Sequence, residues 1–143
     1  MDAPTPHAAP PRAPTPPDEP TLYERIGGAE GLRRLTRRFY ALMDQIPEAR
    51  ACRAIHPADL SGSEQKLFEY LSGWLGGPPL FTAKHGHPML RARHLPMPIG
   101  PAERDGWLVC FHVALNETVA DADLRAFLLP RVASLAMHMQ NRD

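Results

Sequence analysis

The chain has 143 residues, which is enough for one domain with a hydrophobic core and too few for two. Its 16 basic side chains balance 16 acidic ones, and this zero net charge argues against nucleic-acid binding and against a polybasic membrane patch. No stretch reaches the roughly 18 apolar residues of a membrane span, and the N-terminus lacks a signal-peptide pattern. We therefore expect a cytoplasmic protein in which Cys52 and Cys110 are buried free thiols.

Residues 1–20 differ in composition from the rest of the chain. They contain eight of the 17 prolines and almost no apolar side chains that a core could bury. Such a composition favours an extended, solvated backbone. We predict a disordered proline-rich extension over residues 1–20 and one folded domain over residues 21–143.

The first part of this domain has the periodicity of helices. A short helix over residues 21–26 ends at a glycine pair. Apolar residues then recur every three or four positions over residues 32–46, which predicts a long helix. Pro47 begins a shorter helix that ends near His56, because Pro57 disfavours its continuation.

The second part continues the helical pattern. Ser61 and Glu64 have the spacing of a capping box, which predicts the start of a helix that runs to the glycines before Pro78. We predict a loop over residues 78–86 and a short helix over residues 88–94.

Two long helices complete the predicted fold. One begins at Gly100 and Pro101, and the last begins near Asp121 and contains Pro130, which should kink it. No alternating segment of strand length occurs, so the predicted fold is all-α.

Seven histidines in a small domain invite a metal hypothesis. His85 and His87 form an HxH pair, but no cysteine or acidic cluster nearby completes a zinc site. His94 ends a short predicted helix and is followed by Pro96 and Pro98, which restrict the exit of the chain. A rigid turn of this kind would suit a haem ligand, yet on these residues alone a helix-capping histidine explains the pattern equally well.

Several ordered motifs resolve this ambiguity by resemblance. The segments are YERIGG at residues 23–28, RFY at 38–40, WLGGPP at 74–79, GHPMLRARHLPMPI at 86–99 and ERDGW at 103–107. Together they resemble the group II truncated haemoglobins over residues 21–140. The resemblance implies a shortened globin fold, two helices over two, that encloses haem.

The resemblance also assigns site residues. His94 matches the proximal iron ligand. Tyr40, His56 and Trp107 match polar positions on the distal side, although a core tyrosine and a packing tryptophan are the plainer interpretations of Tyr40 and Trp107. Ser63 and Leu67 match the distal gate and wall. Lys66 and Arg93 match partners of the haem propionates, with Arg91 a weaker candidate, and solvated surface charge is the alternative for these cations. The residues that match the haem edge are Phe81, Leu90, Met97 and Ile99. Met97 departs from the pattern, since relatives usually have Phe there.

The function implied is reversible binding of oxygen or another small ligand such as NO, CO or sulfide. The cofactor implied is haem b, held non-covalently because the chain has no CxxCH motif. A haem enzyme, either a peroxidase or a nitric oxide dioxygenase, is the alternative, and a helical scaffold without cofactor is a third. A reductase and a second copy of the chain, forming a homodimer, are candidate partners; nucleic acid and membranes are not expected.

Overall fold

The computed structural model describes residues 19–143, and within that range it contains helices and no strand. The predicted all-α class is therefore confirmed for this part of the chain. The predicted extension lies almost entirely outside the described residues. In chain order the helices are α1 (Leu22–Arg25), α2 (Gly28–Gln45), a 3-10 turn (Pro47–Ala49), α3 (Arg50–Ala54), α4 (Ser61–Trp74), α5 (Leu80–His85), α6 (Leu90–His94), α7 (Pro101–Thr118) and α8 (Ala122–Met139).

Helix α2 lies at the centre of the packing. It contacts both α4 and α7, while α7 also packs on α8 and on the segment that holds the 3-10 turn and α3. Its apolar stripe is fully buried, as the three- and four-residue spacing predicts. The buried stripe consists of Leu32, Leu35, Phe39 and Met43, with Leu115 of α7 and Leu124 and Leu128 of α8 in the same core.

Glycines allow one tight turn and one close helix contact in this fold. Gly27 and Gly28 have φ values of +108° and +65°, which only glycine adopts at low cost, and they turn the chain from α1 into α2. A Cβ atom on Gly106 would lie 3.0 Å from the carbonyl oxygen of Glu48 and 3.1 Å from Cα of Ala49. The missing side chain therefore lets α7 approach the 3-10 turn closely.

Two local predictions are wrong. Residues 80–85 form helix α5 rather than a loop, because Pro79 occupies the N-cap and the six-residue helix is too short to show a period. Ser61 is the first residue of α4 instead of its cap, and its amide donates to Oδ1 of Asp59 at 2.9 Å. The side-chain cap of Asp121 on the amide of Leu124 is present at 3.1 Å, and α8 continues through Pro130.

No helix within residues 19–143 is long and apolar enough to cross a membrane. Cys52 and Cys110 are buried and unpaired, as expected.

Candidate functional site

The structure contains a cavity of about 530 Å³ between the helices, within the range of roughly 300–1,000 Å³ typical of small-molecule sites. Residues from α2, α3, α4, α5, α6, α7 and α8 form its walls. All twelve predicted site residues line it, although they are spread over 68 positions of sequence from residue 40 to residue 107.

His94 is the last residue of α6 and is half-buried. Its Nδ1 atom lies 2.7 Å from the carbonyl oxygen of Leu90, one helical turn earlier. A carbonyl oxygen can only accept, so Nδ1 carries the proton and, in the neutral ring, Nε2 has a free lone pair. Nε2 makes no hydrogen bond with any residue in the described range. The imidazole is therefore oriented by its own helix and is available as a ligand.

Three polar side chains on other walls make few hydrogen bonds of their own. The hydroxyl of Tyr40, in α2, and the indole Nε1 of Trp107, in α7, have no partner among residues 19–143. His56, which follows α3, uses Nδ1 on the carbonyl oxygen of Cys52 at 2.8 Å, and this leaves Nε2 unpartnered. Three groups that can donate or accept hydrogen bonds thus lie on the walls of one cavity.

Aromatic contacts hold these three side chains in place. Phe39 contacts the Tyr40 ring edge-on at 4.7 Å between centroids and the Trp107 ring at 5.3 Å. Trp107 also stacks on Phe111 at 5.4 Å, and the Tyr40 and His56 rings are 6.0 Å apart. Packing fixes the geometry of Tyr40 and Trp107, whereas His56 is held both by its ring contact with Tyr40 and by its hydrogen bond to Cys52.

Burial shifts the pKa values on this side of the cavity. It raises the pKa of the Tyr40 hydroxyl, and the nearby Cys52 and Glu64 add to that effect. Burial lowers the pKa of His56; its backbone hydrogen bond opposes this shift, whereas the electrostatic effect of the neighbouring Arg53 and His94 reinforces it. Near neutral pH the phenol therefore keeps its proton and the His56 ring is neutral.

One face of α4 forms another wall. Ser63, Lys66, Leu67 and Tyr70 follow one another at steps of three, one and three residues and all line the cavity. Tyr70 is buried, and its hydroxyl has no hydrogen-bond partner within residues 19–143. Tyr70 was not predicted as a site residue, although it lies three positions after Leu67 and helical periodicity places both on one face.

The cavity has apolar walls and a basic edge. Phe81, Leu90 and Ile99 are buried, and Met97 is half-buried. Lys66 and Arg93 are exposed to solvent, and Lys66 forms no ion pair within residues 19–143. Arg93 donates to the carbonyl oxygens of His85 and His87 at 3.0 and 3.1 Å.

Arg91, the weaker candidate, does not line the cavity, because its guanidinium donates to the carbonyl oxygens of His138 and Gln140, both at 2.8 Å. Its assignment as a propionate partner is therefore not supported by its position.

A buried carboxylate stabilises the α4–α5 wall. Glu69 accepts hydrogen bonds from Gln65 at 2.9 Å, His85 at 2.9 Å and Lys84 at 3.0 Å. Burial by itself would raise the pKa of Glu69, but the donors from Gln65, His85 and Lys84 lower it to about 2. The ring of His85 is hydrogen-bonded to Glu69, and the ring of His87 accepts from the amide of Met89. Within residues 19–143, no group of three or more His, Cys, Asp or Glu side chains could hold a metal ion.

Sequence reasoning missed other lining residues. Leu135 and Met139 of α8 line the cavity, and so does His85, which the sequence suggested only as half of an HxH pair. The remaining lining residues that were not predicted are Cys52, Ile55, Pro57, Glu103, Arg104 and Ala136.

The profile of the bacterial-like globin family matches residues 21–141. The chain belongs to that family. A group 2 truncated hemoglobin of Bacillus subtilis is 42% identical over 120 residues, which cover 84% of this chain and 88% of that protein. Among solved structures, the group II 2-on-2 hemoglobin of Agrobacterium tumefaciens is 60% identical with a TM-score of 0.87, and covers 90% of this chain and all of that one. The truncated oxygen-avid haemoglobin of Bacillus subtilis is 41% identical with a TM-score of 0.77, over 85% of this chain and all of that one.

These similarities confirm the predicted two-over-two globin fold and the resemblance to group II truncated haemoglobins. Membership of a globin family implies haem binding. The residues of the cavity fit such a group, because apolar walls surround an imidazole with an available nitrogen, and cations lie at the edge where carboxylates could reach them.

Proposed function

We propose that this globin binds haem b non-covalently through Nε2 of His94 and reversibly binds oxygen or another small ligand in the cavity. The observation that carries the proposal is the hydrogen bond of 2.7 Å between Nδ1 of His94 and Leu90. It fixes the tautomer that presents Nε2, which is the role a backbone carbonyl has beside metal-bound histidines. When bound, haem supplies the iron at which a small ligand is held.

The other side chains have roles that follow from their positions. Tyr40 and Trp107 donate to the ligand, and His56 can donate or accept through Nε2. Leu67 and Ser63 form the apolar wall and the gate. Lys66 and Arg93 pair with the propionates, while Phe81, Leu90, Met97 and Ile99 pack against the edge of the haem.

Oxygen is the first candidate ligand. An unpartnered donor in a water-poor cavity is worth most when the ligand carries partial negative charge, as oxygen does more than carbon monoxide. The description of one similar solved structure as oxygen-avid supports this choice.

The spectrum of the purified protein tests the proposal. Expressed with ample haem, the protein should show a haem absorption spectrum in the ferric and ferrous states, with a further change on adding oxygen. His94→Gly should lose stable haem binding and regain part of it with added imidazole, whereas the matched control His87→Gly should behave as the wild type. A colourless wild type, or a His94→Gly variant with a normal ferrous spectrum, would refute the proposal.

A redox enzyme is the second candidate, and His56 favours it. A peroxidase needs a neutral base that moves a proton between the two peroxide oxygens, and the lowered pKa of His56 keeps its Nε2 available near neutral pH. Fast peroxide turnover that falls at least tenfold in His56→Phe would support this function. Slow turnover that does not depend on His56 would leave ligand binding as the function.

We also place the protein in the cytoplasm, on the basis of its two buried free thiols. Redox turnover would require a reductase as partner; nitric oxide dioxygenation is the other enzymatic activity that such a site could support. A homodimer stays a hypothesis.

A further inference from the structure

The short helix that presents His94 cannot fix the position of this side chain by itself. Helix α6 has five residues, Leu90–His94. A helix of this length is not stable in isolation, so its position must come from contacts with the rest of the protein. The loop that follows, residues 95–99, contains two prolines without N–H groups. The amides of Leu95 and Met97 donate to carbonyls of Ala92 and His94, whereas the amide of Ile99 bonds outside the loop.

A single side chain from the C-terminal segment bonds to this loop. Nδ2 of Asn141 donates to the carbonyl oxygens of His94 at 3.2 Å and Met97 at 3.0 Å. Its Oδ1 accepts from the amide of Ile99 at 3.0 Å. Asn141 therefore bonds to the backbone of three residues: His94 itself, and Met97 and Ile99 in the loop.

Backbone bonds and a second side chain strengthen this connection. The amides of Asn141 and Arg142 donate to the carbonyl oxygen of Ile99 at 2.8 and 3.0 Å. From within α6, Arg91 donates to the carbonyl oxygens at residues 138 and 140. We name residues 138–142 the C-terminal clamp, because they hold the helix that presents His94 and the loop that follows it.

We propose that Asn141 is the positioning residue for the iron ligand, and that the C-terminal clamp sets the position of the His94 imidazole relative to the haem. The inference rests on the proposed role of His94. Two groups locate the histidine: the carbonyl of Leu90 sets the rotation of the ring, and Asn141 sets the location of the backbone that carries it. Without the Asn141 side chain the Met97 carbonyl loses its donor, and the His94 carbonyl keeps only the amide of Met97, at 2.9 Å. The two backbone bonds to Ile99 then hold the loop less firmly to the C-terminal segment.

Three variants of the full chain test this role. Asn141→Ala removes all three side-chain bonds to the loop. Asn141→Asp keeps an acceptor for the amide of Ile99 but places carboxylate oxygen against two carbonyls. Gln140→Ala is the matched control within the clamp, because it keeps the backbone carbonyl that accepts from Arg91 and loses only side-chain bonds to Arg104 and Arg142, none of them to residues 94–99.

The first readout is the iron–imidazole stretching band in the resonance Raman spectrum of the ferrous protein, together with the rate of haem loss to an acceptor globin. We expect the band to shift or broaden in both Asn141 variants, and haem loss to rise by about tenfold, the factor that corresponds to one or two neutral hydrogen bonds. Gln140→Ala should match the wild type in both measurements.

The second readout does not involve iron. Exchange of the Ile99 amide proton should accelerate in Asn141→Ala and stay slow in Asn141→Asp, which keeps the acceptor. An unchanged stretching band and haem-loss rate in both Asn141 variants would overturn the proposal, as would equal effects in Gln140→Ala. Failure of the proposed function gives a different result: His94→Gly would keep its ferrous spectrum, regardless of how fast the Ile99 amide proton exchanges. If Asn141→Ala does not fold, the Asp variant and its stretching band decide.

Discussion

The two sides of the cavity hold their polar side chains in different ways. On the side formed by α5, α6 and the C-terminal clamp, each polar group that orients a key residue is bonded within the protein: Nδ1 of His94 to Leu90, its carbonyl oxygen to Asn141, and His85 to Glu69. On the opposite side, the Tyr40 hydroxyl of α2 and the Trp107 indole N–H of α7 have no partner in the described chain. His56, which follows α3, is intermediate, because its Nδ1 bonds to the carbonyl oxygen of Cys52 and its Nε2 has no partner within residues 19–143. Buried polar groups without partners are costly, and proteins keep them where a ligand needs them.

The difference shows which side chains the fold holds rigidly by hydrogen bonds. A ligand to a metal must not move, and therefore its supporting groups are bonded to backbone. Groups that recognise a small ligand must be held by packing and left free at their polar end. The ring contacts of Phe39 hold Tyr40 and Trp107 in this way.

The largest effect we predict concerns the bonded side. The pKa of Glu69 falls from its ordinary 4.5 to about 2 in the folded protein. The carboxylate therefore stabilises the fold above pH 4.5 and loses this contribution as the pH falls toward 2, a loss on the order of 3 kcal/mol. Glu69→Gln should flatten the pH dependence of the free energy of unfolding, measured with urea, over that range.

Glu117→Gln is the control for this experiment, because Glu117 pairs with Arg38 on the surface and should affect acid stability much less. Identical acid profiles for the wild type and Glu69→Gln would show that the α4–α5 wall does not depend on this carboxylate.

The second prediction concerns the unbonded side. Trp107→Phe removes a donor and keeps an aromatic wall, and a hydrogen bond to a partly charged acceptor is worth roughly 1.5–3 kcal/mol. Oxygen should therefore dissociate about ten- to hundredfold faster from the variant in stopped-flow measurements. Carbon monoxide, which carries less negative charge, should change less, and the double variant with Tyr40→Phe should be non-additive.

Equal acceleration for oxygen and carbon monoxide would mean that Trp107 acts as a steric barrier rather than a donor. No change for either ligand would remove Trp107 from the binding site.

A smaller effect is expected at Tyr70. Its buried hydroxyl has no partner in the part of the chain that the structure describes, and such a group costs about 1–3 kcal/mol when it stays unsatisfied. In the haem-free chain, Tyr70→Phe should raise the free energy of unfolding by about 1 kcal/mol, measured by urea denaturation. A loss of stability of that size instead would show that the hydroxyl already has a partner such as a buried water.

The smallest effect should follow removal of the proline-rich extension. A chain that begins at Pro20 should keep its haem content and its melting temperature, because residues 1–19 offer little apolar surface to bury. A drop of several degrees would mean that the extension docks on the globin.

Helices with a clear apolar period were predictable from sequence, and α2 is the example: its buried stripe is the one its spacing indicates. Helix α5 was not, because six residues are too few to show a period. Ser61 and Glu64 have the spacing of a capping box, but the backbone places the N-cap at Leu60, and the Ser61 amide donates to Asp59.

The site was predictable to the extent that motifs carry it. His94, Tyr40 and Trp107 lie in recognisable segments, whereas Leu135 reaches the cavity through the packing of α8. Asn141 lies 47 positions from His94, and no local pattern indicates that these two residues meet.

A crystal structure of the protein with haem bound tests the central claim most directly. We predict that Nε2 of His94 coordinates the iron while Nδ1 stays on the carbonyl oxygen of Leu90, and that the Tyr40 hydroxyl and Trp107 Nε1 lie on the opposite face of the haem. A structure in which His56 or His87 coordinates the iron and His94 is turned away from it would contradict the account.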